Sequence, residues 1–286
     1  MRTPTVITDR EAFRSVAIGA PPRARVPVEI RIEVDDPFLS YRRARDGPGG
    51  VFVETTGGQS GWGYFAVAPV ERLTVSASAA VADRTATAET TAMGDYRCET
   101  PSLAALDGLL SDERLVRGDC SVPYPCGAFG WLSYDIAREL ETLPGKAVDD
   151  RGLPRLQVGV FDCVAAWTNP QDAPVTLHVT CCPKLPDRSD DTEIDESTLD
   201  GLYDEACDRA TALAEAAVDG EPSVGPAPVD APQAEFESDC GRAAFGERVQ
   251  QVKQYIRDGD TFQANISQRL TAPAAVHPVE AYDALR

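Results

Sequence analysis

Gln263, Asn265, Ser267 and Arg269 recur at every second position near the end of the chain. In an extended segment that spacing puts two amides, a hydroxyl and a guanidinium on one face. Such a row can donate to and accept from an oxygen-rich ligand, with the guanidinium supplying positive charge. None of the four titrates usefully near neutrality, so the row suits bracing a ligand rather than moving its protons. An antiparallel strand with a wet outer face has the same alternation, with Phe262, Ala264, Ile266 and Leu270 on the opposite face. The pattern by itself leaves both readings open.

The elements that must position this row precede it. Phe245, Val249, Val252 and Ile256 are spaced four, three and four residues apart, a helical stripe expected to face a core. Ser238 stands just ahead of it, and Gly259 occupies the place of a left-handed residue closing the helix. A strand over 261–270 is then expected, and Pro278 opens a further helix over 279–286.

Tyr255-Ile256 followed by Gly259-Asp260-Thr261-Phe262-Gln263-Ala264-Asn265-Ile266-Ser267-Gln268-Arg269 resembles the strand signature of chorismate-utilising enzymes. The resemblance is to component I of anthranilate synthase and of aminodeoxychorismate (para-aminobenzoate) synthase: Gly-Asp, Phe-Gln and Ser-x-Arg match in order and spacing. It implies chorismate as substrate, Mg2+ as cofactor, and ammonia delivered by a glutamine amidotransferase partner subunit. In that family magnesium would neutralise the ring carboxylate and polarise the leaving hydroxyl. The family's acid–base residues and magnesium ligands are expected beyond Arg286, so no catalytic residue and no metal ligand is assigned within this chain. Gln263, Asn265, Ser267 and Arg269 are expected to brace the substrate site. Anthranilate synthases tend to carry valine where Asn265 stands, which favours amination to 4-amino-4-deoxychorismate. Anthranilate with pyruvate is the alternative product, and a non-catalytic regulatory or scaffold protein the third reading.

A second stretch carries the same resemblance. Phe52-Val53-Glu54-Thr55, then Trp62-Gly63-Tyr64-Phe65 and Pro69, is similar to the family's amino-terminal strands. There a serine in the position of Thr55 lines a tryptophan pocket, which implies an amino-acid effector pocket at Glu54, Thr55, Trp62 and Tyr64. Read from pattern alone, the stretch is a hairpin in a core. Pro123 to Asp135 also resembles the family, with Cys126 in place of a glycine and Trp131 in place of a tyrosine, both expected to be packing changes.

Strands are expected at 28–33, 51–55, 62–68 and 73–76, with 156–167 as one uninterrupted strand and 175–181 as its neighbour. Helices are expected at 36–43, at 101–110, from Tyr134 to a stop at Pro144, and behind a Ser197-Thr198 cap. These elements imply an α+β fold of antiparallel sheets with outer helices. Residues 1–218 are expected to form an amino-terminal, regulatory-type domain, the proline-rich 219–235 a linker or exposed loop, and 236–286 the beginning of the chorismate-binding domain, so that the complete protein continues past Arg286.

Composition narrows the partners. Forty-six acidic residues against 27 basic ones give a formal charge of −19, with lysine only at Lys146, Lys184 and Lys253. Such self-repulsion calls for salt screening, so a high-salt cytoplasm is the expected location. Nucleic-acid binding is excluded for want of a basic stripe, and no apolar run reaches membrane-spanning length. The eight cysteines are scattered without a Cys-x-x-Cys, and Cys181 and Cys182, being adjacent, cannot share a strand face. Buried or free thiols are expected rather than a zinc site.

Overall fold

The structure, a computed structural model, describes residues 2–55, 59–76, 80–84, 91–93, 101–143, 148–170, 173–188 and 194–286. It divides into two units, Met1–Ser223 and Val224–Arg286.

The first unit begins with β1 (Thr5–Val6) and a helix that the sequence pattern did not lead us to expect, α1 (Arg10–Gly19). Asp9 opens α1 by accepting the Ala12 amide at 2.8 Å, satisfying a donor with no partner inside the helix. β2 (Ala24–Arg25) leads into β3 (Val28–Val34), in which only Arg31 and Glu33 escape burial. Asp36 caps α2 (Pro37–Ala44) in the same way, accepting the Phe38 amide at 2.7 Å, and proline stands where its missing N–H costs nothing. β4 (Val51–Val53) and β5 (Gly61–Ala66) form the expected hairpin, Val51 opposite Ala66; Gly57 and Gly58 of its turn lie outside the described residues.

β6 (Glu71–Val75), β7 (Ala80–Arg84) and β8 (Thr91–Met93) follow as antiparallel neighbours. After α3 (Pro101–Leu110) come β9 (Arg114–Leu115) and β10 (Gly127–Leu132). The helix expected from Tyr134 is a 3-10 turn that ends at Glu139. The Glu139 carboxylate is held by the Ser102 amide at 2.9 Å, the Ser102 hydroxyl at 2.7 Å and Arg155 at 3.1 Å, which fixes the end of that turn. Pro144 lies outside the described residues.

The run expected as one strand over 156–167 is two strands, β11 (Leu156–Phe161) and β12 (Cys163–Asn169), in different sheets. The break falls at Asp162. Its backbone carbonyl accepts the Cys182 amide at 2.7 Å, and its buried carboxylate takes two bonds from Arg209, at 2.9 and 2.6 Å. β13 (Val175–Cys181) and the 24-residue α4 (Glu196–Asp219) complete the unit. The cap of α4 is Asp195 rather than Ser197-Thr198. The Thr198 amide donates to it at 2.9 Å and both hydroxyls at 2.6 Å, and these bonds hold its carboxyl down to about 2.

Six strands form one antiparallel sheet in the order β1-β3-β13-β12-β5-β4, and five form another in the order β10-β11-β6-β7-β8. β2 and β9 pair in parallel beside them. α4 lies on β3, β12 and β13 and carries α1 and α2 on its flanks, so the main core is sealed by Leu199, Ala206, Ala210, Leu213 and Ala214. A smaller core joins α3 to the second sheet through Ala105, Leu73, Val75, Leu156 and Val158. This is the α+β arrangement of antiparallel sheets and outer helices that the sequence implies.

The second unit contains β14 (Glu237–Ser238), α5 (Gly241–Asp258), β15 (Leu270–Thr271) and α6 (Pro278–Leu285). α5 ends at Gly259 in the left-handed conformation, φ 82°, as its position predicts. Two expectations fail here. The strand over 261–270 shrinks to Leu270–Thr271 paired with β14, because among the described residues no strand lies beside 263–269 to receive its backbone groups. The stripe on α5 faces no core either: no residue of the helix is buried, since two helices and a two-residue strand pair have too little surface to enclose it. Among the described residues, no helix is long and apolar enough to cross a membrane.

Candidate functional site

Gln263, Asn265, Ser267 and Arg269 lie exposed along a strip that belongs to no helix or strand, and Phe262 beside them is 93% exposed. The strip is tied at both ends. At its start the Asp260 amide donates to the Tyr255 carbonyl at 2.9 Å, and the Thr261 hydroxyl donates to the Gln263 carbonyl at 3.0 Å. At its end the Asp239 amide donates to the Arg269 carbonyl at 3.0 Å, and the Arg269 amide donates to the Asp239 carboxylate at 3.3 Å. A hydrogen bond from the Cys240 thiol, with the Arg269 amide and the charges of Arg248 and Arg269, holds the Asp239 carboxyl below the usual range against partial desolvation.

In the first unit, Trp62 and Tyr64 point to one face of β5, with ring centroids 6.5 Å apart. Tyr64 is buried against Tyr124 and Phe129, at 6.2 and 5.7 Å, and Trp62 meets the edge of His178 at 5.4 Å. The Tyr64 hydroxyl is buried without a hydrogen-bond partner of good geometry among the described residues, and burial pushes it up. Glu54 and Thr55 are half-buried, and Thr55 Oγ1 rests beside Gly61. The four residues of the expected effector pocket thus sit on one hairpin, with Trp62 and Tyr64 contributing to an aromatic cluster.

A cluster absent from the sequence-based expectations adjoins that face. Glu29 is 2% exposed, and its carboxylate receives Arg31 Nε at 2.7 Å and meets His178 Nδ1 at 2.9 Å. Burial works against its charge, but the bonds from His178 and Arg31 win and leave its pKa below the usual range. Cys120, facing the same carboxylate, is pushed up to about 11, chiefly by burial. Glu29 also borders a cavity of about 240 Å³ lined by Thr8, Phe13, Arg117 and Cys120. In the alternating β3, Glu29 falls on the same face as Arg31 and Glu33 and so reads as one more solvated charge; its partner His178 lies 149 positions away.

The depressed pKa has a definite sign. Glu29 contributes stability that is full above the unfolded glutamate value and lost as pH falls through the lower folded one. Urea midpoints are therefore expected to drop on acidification below about pH 4. Glu29→Gln should cost about 2 kcal/mol at neutral pH and flatten that acid dependence. A variant with the wild-type acid profile would assign the loss to other carboxylates.

Among the described residues, no group of three or more His, Cys, Asp or Glu side chains could hold a metal ion, and seven cysteines are free thiols.

Residues 58–286 match the family model described as chorismate binding enzyme. The chain belongs to the chorismate binding enzyme family. Among its relatives, a Haloarcula marismortui protein named anthranilate synthase component 1 1 is 56% identical over 286 residues, covering 99% of this chain and 52% of the relative. A second from that organism, anthranilate synthase component 1 3, is 54% identical over 284 residues, covering 98% of this chain and 51% of the relative. Aminodeoxychorismate synthase component 1 of Bacillus subtilis is 29% identical over 161 residues, 56% of this chain and 30% of that one. The chain spans about half the length of the two Haloarcula relatives.

Proposed function

We propose that this chain is part of an anthranilate synthase component I, which aminates chorismate and eliminates pyruvate to give anthranilate. The observation that carries this reading is identity of 56% and 54%, over nearly the whole chain, to two proteins bearing that name. It outweighs the preference for aminodeoxychorismate drawn from Asn265, which rests on one side chain, whereas the aminodeoxychorismate relative matches 56% of the chain at 29% identity. Ammonia would come from a separate glutamine amidotransferase subunit. The strip Gln263, Asn265, Ser267 and Arg269 would brace chorismate, Arg269 offering a local cation to a dicarboxylate in a strongly acidic protein. Glu54, Thr55, Trp62 and Tyr64 would form part of a tryptophan effector pocket. The family resemblance also implies Mg2+; among the described residues no group of His, Cys, Asp or Glu side chains offers it a ligand set.

The test supplies the complete gene product with chorismate, a magnesium salt and ammonium, and separates the products by chromatography. Anthranilate with equimolar pyruvate is expected; aminodeoxychorismate without pyruvate overturns the assignment. In the same assay Arg269→Ala should lower kcat/KM roughly tenfold, the worth of one charge-assisted hydrogen bond. Unchanged kcat and KM would make the row a solvated strip.

A further inference from the structure

Three of the four edges of the two large sheets are short, two residues in β1 and three in each of β4 and β8. The fourth is β10, six residues paired to β11 in unbroken register from Gly127 opposite Phe161 to Leu132 opposite Leu156. Edge strands are ordinarily blunted by proline, charge, a bulge or brevity, because their unpaired backbone groups invite another strand. Gly127-Ala128-Phe129-Gly130-Trp131-Leu132 has none of these, and among the described residues β10 pairs with β11 alone.

The hydrogen bonds settle which backbone groups face outward. The Ser133 amide donates to the Arg155 carbonyl at 2.7 Å, in step with the register, so Phe129 and Trp131 give their groups to β11. Ala128, Gly130 and Leu132 therefore turn theirs away from the sheet. The same end of the strand is apolar and open: Trp131, Leu132 and Tyr134 are exposed, and with Leu153 they line a groove of about 780 Å³. Its charges cancel, Arg138, Arg151 and Arg155 against Asp135, Asp149 and Asp150, in a chain of formal charge −19. A locally neutral, apolar edge is where two copies of so acidic a chain meet with least repulsion.

We propose that β10 is the contact strand of a two-fold dimer, pairing antiparallel with β10 of a second copy and joining two five-stranded sheets into one. The register follows from the outward groups. With Gly130 on the two-fold axis, it exchanges backbone bonds with Gly130 of the other copy, and Ala128 exchanges them with Leu132. Phe129 of each copy then stands opposite Trp131 of the other at a non-hydrogen-bonded position, where cross-strand side chains approach most closely. Centring the axis on Phe129 would leave Leu132 without a strand partner, and centring it on Trp131 would leave Ala128 without one. The strand is its own complement, in backbone and in aromatic pairs.

The test follows the 286-residue chain in molar potassium chloride by sedimentation equilibrium and amide hydrogen exchange across a dilution series. A dimer is expected, with the Ala128, Gly130 and Leu132 amides at least about tenfold slower in it than in the diluted monomer. The Phe129 and Trp131 amides should stay slow throughout. Leu132→Glu should weaken association about tenfold or more, because the two-fold counts each loss twice. Adding Ala128→Lys sets opposite charges face to face across the axis and should restore association; failure of that rescue overturns the register. A monomer at every concentration, or a dimer whose Ala128, Gly130 and Leu132 amides stay fast, overturns the proposal. Slow amides in a monomer overturn it too, by giving the edge to another segment of the same chain. The wild-type series alone decides if a variant does not fold.

Discussion

Arg209→Ala is expected to lower unfolding stability by roughly 3 kcal/mol, and Asp162→Ala by less, about 1–2 kcal/mol. The inequality follows from burial. The Asp162 side chain is 9% exposed and the Arg209 side chain 38%. Removing the guanidinium strands a buried carboxylate that water reaches poorly, whereas removing the carboxylate leaves a guanidinium that solvent can cover. The position sharpens the effect, because Asp162 is where the chain crosses from the five-stranded sheet to the six-stranded one. Denaturant midpoints of both single variants and the double variant measure the order and the coupling. Equal losses, or a larger loss for Asp162→Ala, would show that the crossing is held by the backbone bond to Cys182 rather than by the ion pair.

Trp167→Ala should cost roughly 3–5 kcal/mol, the usual range for truncating a large buried aromatic. Its ring is 2% exposed, lies 5.3 Å from Phe52 and 6.3 Å from Phe65, and its indole N–H donates to Asn169 Oδ1 at 2.9 Å. The indole lies directly over Gly63, where a Cβ would stand 2.2 Å from Trp167 Cζ2. Gly63→Ala by itself therefore overpacks the site, at about 2–3 kcal/mol. In the Trp167→Ala background the same methyl enters empty space, so the double variant should be no less stable than Trp167→Ala alone. Additive losses in that cycle would mean that Gly63 is needed for β5 itself and not for the ring above it.

The parts of the fold that were legible in the sequence are those whose causes are local. α2 announces itself through Asp36-Pro37, α5 through its stripe and Gly259, and the β4–β5 hairpin through an apolar run and an aromatic-rich run around glycines. α1 had a local signal too, Asp9 ahead of Phe13 and Ala17, and could have been read from it. The break at Asp162 could not. Apolar residues flank it on both sides, and the cause is an arginine 47 positions away. The same distance problem hid Glu29 with His178. The strand expected over 261–270 failed for another reason: alternation reports which way side chains point, but a ladder needs a neighbour, and the pattern says nothing about one. The product preference drawn from Asn265 gave way because one side chain weighs less than similarity spread along the chain.

The tied ends of the 263–269 strip have a consequence for recognition. Ordering a free peptide costs on the order of 1–2 kcal/mol per residue in backbone entropy. Here Asp260 is pinned to Tyr255 at one end and Arg269 to Asp239 at the other, so the search of the intervening backbone is already shortened before anything docks on it. The amide protons of 263–268, without a ladder among the described residues, should exchange with solvent faster than that of Arg269, and would become slow when a ligand or a neighbouring strand captures them. The strip is held in readiness by its anchors.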